Sequence, residues 1–482
     1  MNRFIFLFLA LFMASCSQPN IDKSINRLNL NLGAEPTYLN PILSTDSPSS
    51  MVNGFIFNGL MKTNESLEMI PDLAKSYHVS QNGKLYTFKL KPNIYWHDGK
   101  ELTSEDVKFT FELILNPKTN TVRRSNYIIN GKKVKFKIID KYTIQAILPQ
   151  PFAPFLVHMG MGILPKHILK STNINTTTFN RKPIGTGPFK FHSWKAGQYV
   201  KLVKNPNYFI PGPKLDEVLL KVIPDERTAL IALNKGEIDQ SSIPNKDYKK
   251  YKKNQRITTY KYDDLLYTYL AFNLSHPFFK DVKVRHAIKL AINKKAIVNG
   301  VLKSFGRPAY LPTAPILWSY PTHFNIETHQ YNPKKSHQLL KDAGFQLNPK
   351  TKILEKNGIP FEFTIMTNKG NKDREKTAQI IQRFLKEIGI VVHLQLMEWS
   401  SFIKVINEPI HPKKFDAVIL GWSLGLDPDG YSIWHSSQYP KGFNFIGYKN
   451  LIVDDLLQKG RLAIKKQQRK IMKKKIQHQT LL

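Results

Sequence analysis

Gly421-Trp422-Ser423-Leu424-Gly425 has the spacing of a hydrolase nucleophile elbow and follows an apolar run. An elbow holds its serine on a strained turn that continues directly into a helix. Here Asp427-Pro428-Asp429-Gly430 comes next, which is turn chemistry. The acid and histidine of a triad must also come from later strands. Behind His435 the chain is short and rich in Lys and Gln. An exported serine hydrolase using Ser423 is therefore a rival reading, weaker than a non-catalytic one. Asp427 and Asp429 are a carboxylate pair that would suit glycoside chemistry. Flanking a proline, they are also natural turn formers, and in a cleft they are candidates to hold an ammonium group. The 14 histidines are scattered without a His-Glu-x-x-His motif, and one cysteine cannot build a Cys/His metal cluster. Gly185-Thr186-Gly187-Pro188 lacks the Gly-Lys-Ser/Thr ending of a phosphate loop. Trp96-His97-Asp98-Gly99 reads as a turn after a strand. No metal site and no cofactor are expected.

The elements that would position these residues are clearest between 361 and 421. Phe361–Ile365 alternates as a strand, and Arg374–Ile388 is an amphipathic helix stopped by Gly389. Ile390–Leu396 is a second strand, Trp399–Ile406 a helix, and Phe415–Leu420 a third strand. This β-α-β-α-β order predicts a parallel sheet with right-handed crossovers. Ligands of open α/β sheets bind outside the carboxyl ends of the strands. That places a cleft at Thr367–Asn371, Met397–Trp399 and Gly421–Asp429. Elsewhere, Leu28–Leu32 reads as a strand, and Thr103 caps a helix with Asp106 three residues on. Residues 225–236 and 282–298 read as further helices.

The 482 residues suggest two to four domains or lobes. With 41% apolar and 22% charged residues, disordered and fibrous classes are excluded. The formal charge of +35 keeps nucleic acid and anionic lipid open as partners. The excess is mostly Lys spread along the chain, which describes solvated faces rather than a binding stripe, so no nucleic-acid partner is expected. At the N-terminus, Arg3 precedes an apolar run from Phe4 to Ala14, too short for the roughly 20 residues of a spanning helix. Small residues and Cys16 follow, the layout of a signal peptide. Met13-Ala14-Ser15-Cys16 resembles a bacterial lipobox, with Met in place of the usual Leu. Cys16 is thus the expected lipid attachment site.

Several stretches together resemble one family, the extracytoplasmic solute-binding proteins of ABC importers, family 5, of the oligopeptide/dipeptide-binding type. They are Ile94–Lys100 with Leu102–Val107, Pro183–Phe189, Asn205–Tyr208, Asp225–Leu230, Gly236–Asp239, Asn273, Pro277-Phe278, Asp281–Ile288, and Gly421-Trp422 with Asp427–Asp429. The resemblance runs from about residue 28 to 455. It implies an α/β, two-lobe fold of the periplasmic-binding-protein type (type II), with an extra subdomain in the first lobe and a hinge that closes over ligand. The expected organisation is signal peptide 1–15, lipidated tether 16–26, first-lobe core 27–52 and 181–262, extra subdomain 53–180, second lobe 263–455, and a basic end 456–482. The implied function is capture of an oligopeptide-like solute and its delivery to ABC permease subunits, by a monomer anchored to a bacterial membrane, periplasmic or at the cell surface. Another family solute, such as a sugar, nickel chelate or heme, is the alternative. The expected ligand-contacting residues are Tyr38, Trp399, Trp422, Ser423, Asp427 and Asp429.

Two departures stand out. Well-known peptide binders carry an aspartate three residues after the Gly-Trp pair to hold the peptide α-ammonium, and the matching position here is Gly425. Asp427 or Asp429 is the expected replacement. Second, Lys465–Lys475 is strongly basic where family chains continue back to the first lobe, so the ending reads as cut short.

Overall fold

The computed structural model describes residues 25–321 and 329–480. The lipobox and Cys16 lie outside the described residues. The principal strands in chain order are β1 (Arg27–Asn31), β2 (Ala74–Ser80), β3 (Leu85–Leu90), β4 (Lys135–Asp140), β5 (Thr143–Ile147), β6 (Phe189–Lys195), β7 (Tyr199–Lys204) and β8 (Glu217–Lys221). They are followed by β9 (Leu266–Phe272), β10 (Glu362–Asn368), β11 (Val391–Met397) and β12 (Ala417–Ser423).

Two sheets build the first lobe. One has the order β1-β8-β7-β6, with β1 parallel to β8 and the rest antiparallel. The other, β2-β3-β5-β4, is antiparallel throughout. A single apolar core joins them, from Leu30 through Phe88, Phe111 and Phe155 to Leu220. Helix α1 (Ser47–Ile56) is capped by Asp46, and α2 (Ser104–Leu115) by the predicted capping box of Thr103 and Asp106. The Gly185-Thr186-Gly187-Pro188 segment lies hard against the end of α1, with Gly187 N–H donating to Ile56 O at 2.8 Å.

His97 joins the Trp96–Gly99 turn to that segment. Its Nδ1 accepts from Gly185 N–H at 3.2 Å, and its Nε2 donates to Gly187 O at 3.0 Å. This pattern needs a neutral ring, and burial pushes its pKa down to about 4. The unfolded ring titrates near 6.5, so the unfolded state binds the extra proton between those values and stability falls as pH drops through that window. The loss by pH 4 is expected to reach about 2–3 kcal/mol. Denaturation midpoints from pH 7 to 4 should show it, and His97→Gln should flatten the slope. A slope unchanged in the variant would contradict this assignment. Burial also pushes His158 down to about 4 and contributes in the same direction.

The segment after β8 returns to the first sheet through α3 (Glu226–Asn234), capped by Asp225, and Asp239 N–H donates to Asn29 O. The second lobe begins at β9. Its sheet has the order β9-β12-β10-β11, with β10 parallel to both β11 and β12, as predicted, and β9 antiparallel to β12. The 282–298 reading divides into α4 (Val282–Ala291) and α5 (Lys294–Gly300). Asn293 causes the break, because its side chain accepts from Ala296 N–H and starts a new helix. Helix α6 (Lys372–Glu387) covers the sheet face bearing Phe363, Ile365, Ala417 and Ile419. Helix α7 (Trp399–Asn407) covers the opposite face, bearing Met366, Val418 and Leu420. Side chains alternate between the faces of a strand, which is why adjacent residues enter different cores. The chain then forms α8 (Tyr431–Trp434), α9 (Leu451–Leu462) and α10 (Lys466–Thr480). The basic end is thus helical, and Met472 and Ile476 pack on Val453, Leu456 and Leu457. Among the described residues no helix is long and apolar enough to cross a membrane.

Candidate functional site

The carboxyl ends of β10, β11 and β12 bring a particular set of side chains to one edge. The ladder sets Asn368 beside Met397, and Trp422 opposite Tyr267. Tyr267 and Tyr269 share one face of β9, with ring centroids 5.7 Å apart. Both are crowded, and burial raises both hydroxyl pKa values. Trp422 meets Phe443 edge-on at 5.0 Å. Trp399, at the start of α7, lies beside Phe402, and its indole N–H is buried with no hydrogen-bond partner among the described residues.

Arg374 rises into this edge from the first turn of α6. Its Nη1 donates to Asn368 Oδ1 at 2.8 Å. Among the described residues it has no carboxylate partner. Burial lowers its pKa, and Tyr269 opposes that shift. Gly421 leaves it room, since a Cβ there would stand 2.6 Å from Arg374 Nη2 and 3.2 Å from Leu266 Cδ1. A crowded guanidinium without a counter-charge is costly unless something anionic or strongly dipolar completes it.

The two aspartates are placed differently from the expectation. Asp427 forms a bidentate pair with Arg469, at 2.7 Å from Nη1 to Oδ2 and with Nη2 on Oδ1. Asp429 pairs with Arg461 Nε at 3.0 Å. Each also closes a turn: Asp427 accepts from Asp429 N–H and Asp429 from Tyr431 N–H. Lys473 donates to Pro428 O beside them, and burial pushes its pKa down to about 8. Both carboxylates are thus neutralised by the chain's own cations. Ser423 is exposed at the end of β12 and no helix continues directly from it, so the elbow geometry is absent. Tyr38 is 43% exposed in the first lobe, its backbone N–H on Ser49 Oγ. Trp422 and Ser423 thus end β12 and Trp399 opens α7 just past β11, while Asp427 and Asp429 lie in the loop after β12, held in an ionic brace.

Arg374, Tyr267 and Tyr269 escaped the sequence reading, and Asn368 entered it only as part of the Thr367–Asn371 loop. Arg374 registered only as the start of a helix. The available signal was an arginine in the first turn of the helix that follows the loop at a predicted strand's carboxyl end.

Residues 68–444 match the model of the bacterial extracellular solute-binding proteins, family 5 middle. The chain belongs to this family. It is 38% identical over 474 residues to the oligopeptide-binding protein AppA of Bacillus subtilis (strain 168), covering 94% of this chain and 86% of the relative. The solved structure of AppA from Bacillus subtilis in complex with a nonapeptide superposes with a TM-score of 0.91 at 37% identity, covering 94% of this chain and 90% of that one. NikZ from Campylobacter jejuni in complex with Ni(L-His) gives a TM-score of 0.84 at 32% identity, covering 95% and 90%. The two-lobe, type II fold of the family is thus the fold of this chain, and its relatives are binding proteins.

Proposed function

We propose that the chain is the substrate-binding component of an ABC importer, capturing an oligopeptide-like solute between its lobes and passing it to a membrane permease. The observation that carries the reading is Arg374, a crowded cation with no carboxylate partner among the described residues, at the carboxyl edge of the second-lobe strands, with Tyr267, Tyr269, Trp399 and Trp422 around that edge. Such a set suits an extended peptide: a guanidinium for a carboxylate or carbonyl, and aromatic surfaces for side chains. The similarity to AppA supports the same class of solute.

Calorimetry with nonapeptides lacking Asp and Glu, with free or amidated C-termini, tests it. Charged hydrogen bonds contribute roughly 1.5–3 kcal/mol, so Arg374→Met should weaken binding about 10–100-fold. If the guanidinium holds the terminal carboxylate, amidation should weaken the wild type similarly and the variant little. Unchanged affinity in Arg374→Met would remove the residue from the site. The anchor is tested separately: Cys16→Ala should block acylation and the associated cleavage. A variant with wild-type processed mass and membrane retention would exclude a lipid-anchored form.

A further inference from the structure

The hydrogen bonds that cross between the two lobes are few, and they concentrate on one residue. Among the described residues, Asn407 Nδ2 donates to Thr45 Oγ1 at 2.9 Å, and both other crossings belong to Arg461. Arg461 stands in the last turn of α9. The second lobe holds that helix through Ser436, whose N–H and Oγ donate to Asp454, and through the 444–446 segment, where Leu274 N–H donates to Ile446 O. Phe445 of that segment is buried in the second lobe with Phe415.

From there Arg461 reaches the first lobe. Its Nη2 donates to Ser125 O at 2.9 Å, and its own backbone carbonyl accepts from Ala153 N–H at 2.9 Å. Its guanidinium lies 4.6 Å from the ring centroid of Phe152, a first-lobe core residue, and 4.2 Å from that of Tyr431. The neighbouring Leu462 packs on the first-lobe core. The same guanidinium is paired with Asp429, in the loop that leaves β12 just after Trp422 and Ser423. Only 5% of the Arg461 side chain is exposed.

We propose that Arg461 is an interlobe clasp: one guanidinium fastens the loop behind the ligand-facing strand to the first lobe, so lobe opening and release of that loop are one event. A planar guanidinium lies in ion-pair contact with a carboxylate and donates to a carbonyl while lying against two rings, and a lysine ammonium cannot do all of this at once. Arg461 is therefore a positioning residue, acting through the Asp429 loop rather than on the solute.

The test uses the full chain without any solute, so its outcome is separate from that of the peptide reading. Hydrogen exchange is followed at Ala153 and in segments 122–127 and 424–431, with small-angle scattering for overall extension. Arg461→Lys keeps a charge beside Asp429, so the chain stays folded. It should exchange at least tenfold faster in all three places and become more extended, with β3 and β10 unmoved. Asp429→Leu with Arg461→Met, which removes both partners of the ion pair together, should do the same. Faster exchange confined to α9 and α10, or unchanged exchange at Ala153, in the Lys variant would overturn the clasp.

Discussion

Alanine at Gly185 is expected to destabilise the first lobe by about 3 kcal/mol or more. A Cβ at this position would fall 1.9 Å from Ile56 O and 2.7 Å from Ile56 C. Those are backbone atoms at the end of α1, so no side-chain rotation relieves the overlap. Shifting the segment would break Gly187 N–H to Ile56 O and both His97 bonds, which depend on the same approach. Gly54 is the control. It lies inside α1 with nothing within 4 Å of its added Cβ. Gly54→Ala should therefore stabilise by about 0.5–1 kcal/mol. Urea midpoints of the two variants should move in opposite directions, and equal shifts would contradict the packing assigned to Gly185.

The second large effect belongs to Asp427. Its side chain is 12% exposed and that of Arg469 is 9%, so removing one partner strands a buried charge. Asp427→Ala is expected to lose about 3–5 kcal/mol of stability. Replacing both, Asp427→Leu with Arg469→Met, should recover much of that loss, because apolar groups of similar size need no counter-charge. Had Asp427 held a solute ammonium, alanine would instead weaken binding and leave stability nearly unchanged. A double-mutant cycle on denaturation midpoints separates the two cases. Additive losses would show that the pair is not coupled.

The second-lobe architecture was legible because β10, α6, β11, α7 and β12 each follow one hydrophobic period and end at Gly, Pro or a polar cap. The sheet order follows from the crossover rule, and the cleft edge follows from the order. The site was only partly legible. Trp399, Trp422 and Ser423 could be placed because they sit at strand ends in a local pattern. The partners of Asp427 and Asp429 could not, since Arg469 and Arg461 lie 42 and 32 positions further on, in a basic stretch that resembles a solvated surface. Arg374 was hidden for the opposite reason. One arginine among Lys372, Asp373 and Glu375 looks like helix surface until the fold removes its counter-charges. Asn293 shows the same limit at small scale, where one cap divides a continuous periodic run.

The most direct test of the central claim is native mass spectrometry of the mature chain incubated with a defined pool of free-acid nonapeptides at near-equimolar concentration. Capture between two lobes predicts one peptide mass per chain, retained through buffer exchange and released on denaturation, with Arg374→Met retaining much less. Bare protein at every concentration, or several peptides per chain with no difference in the variant, would contradict it.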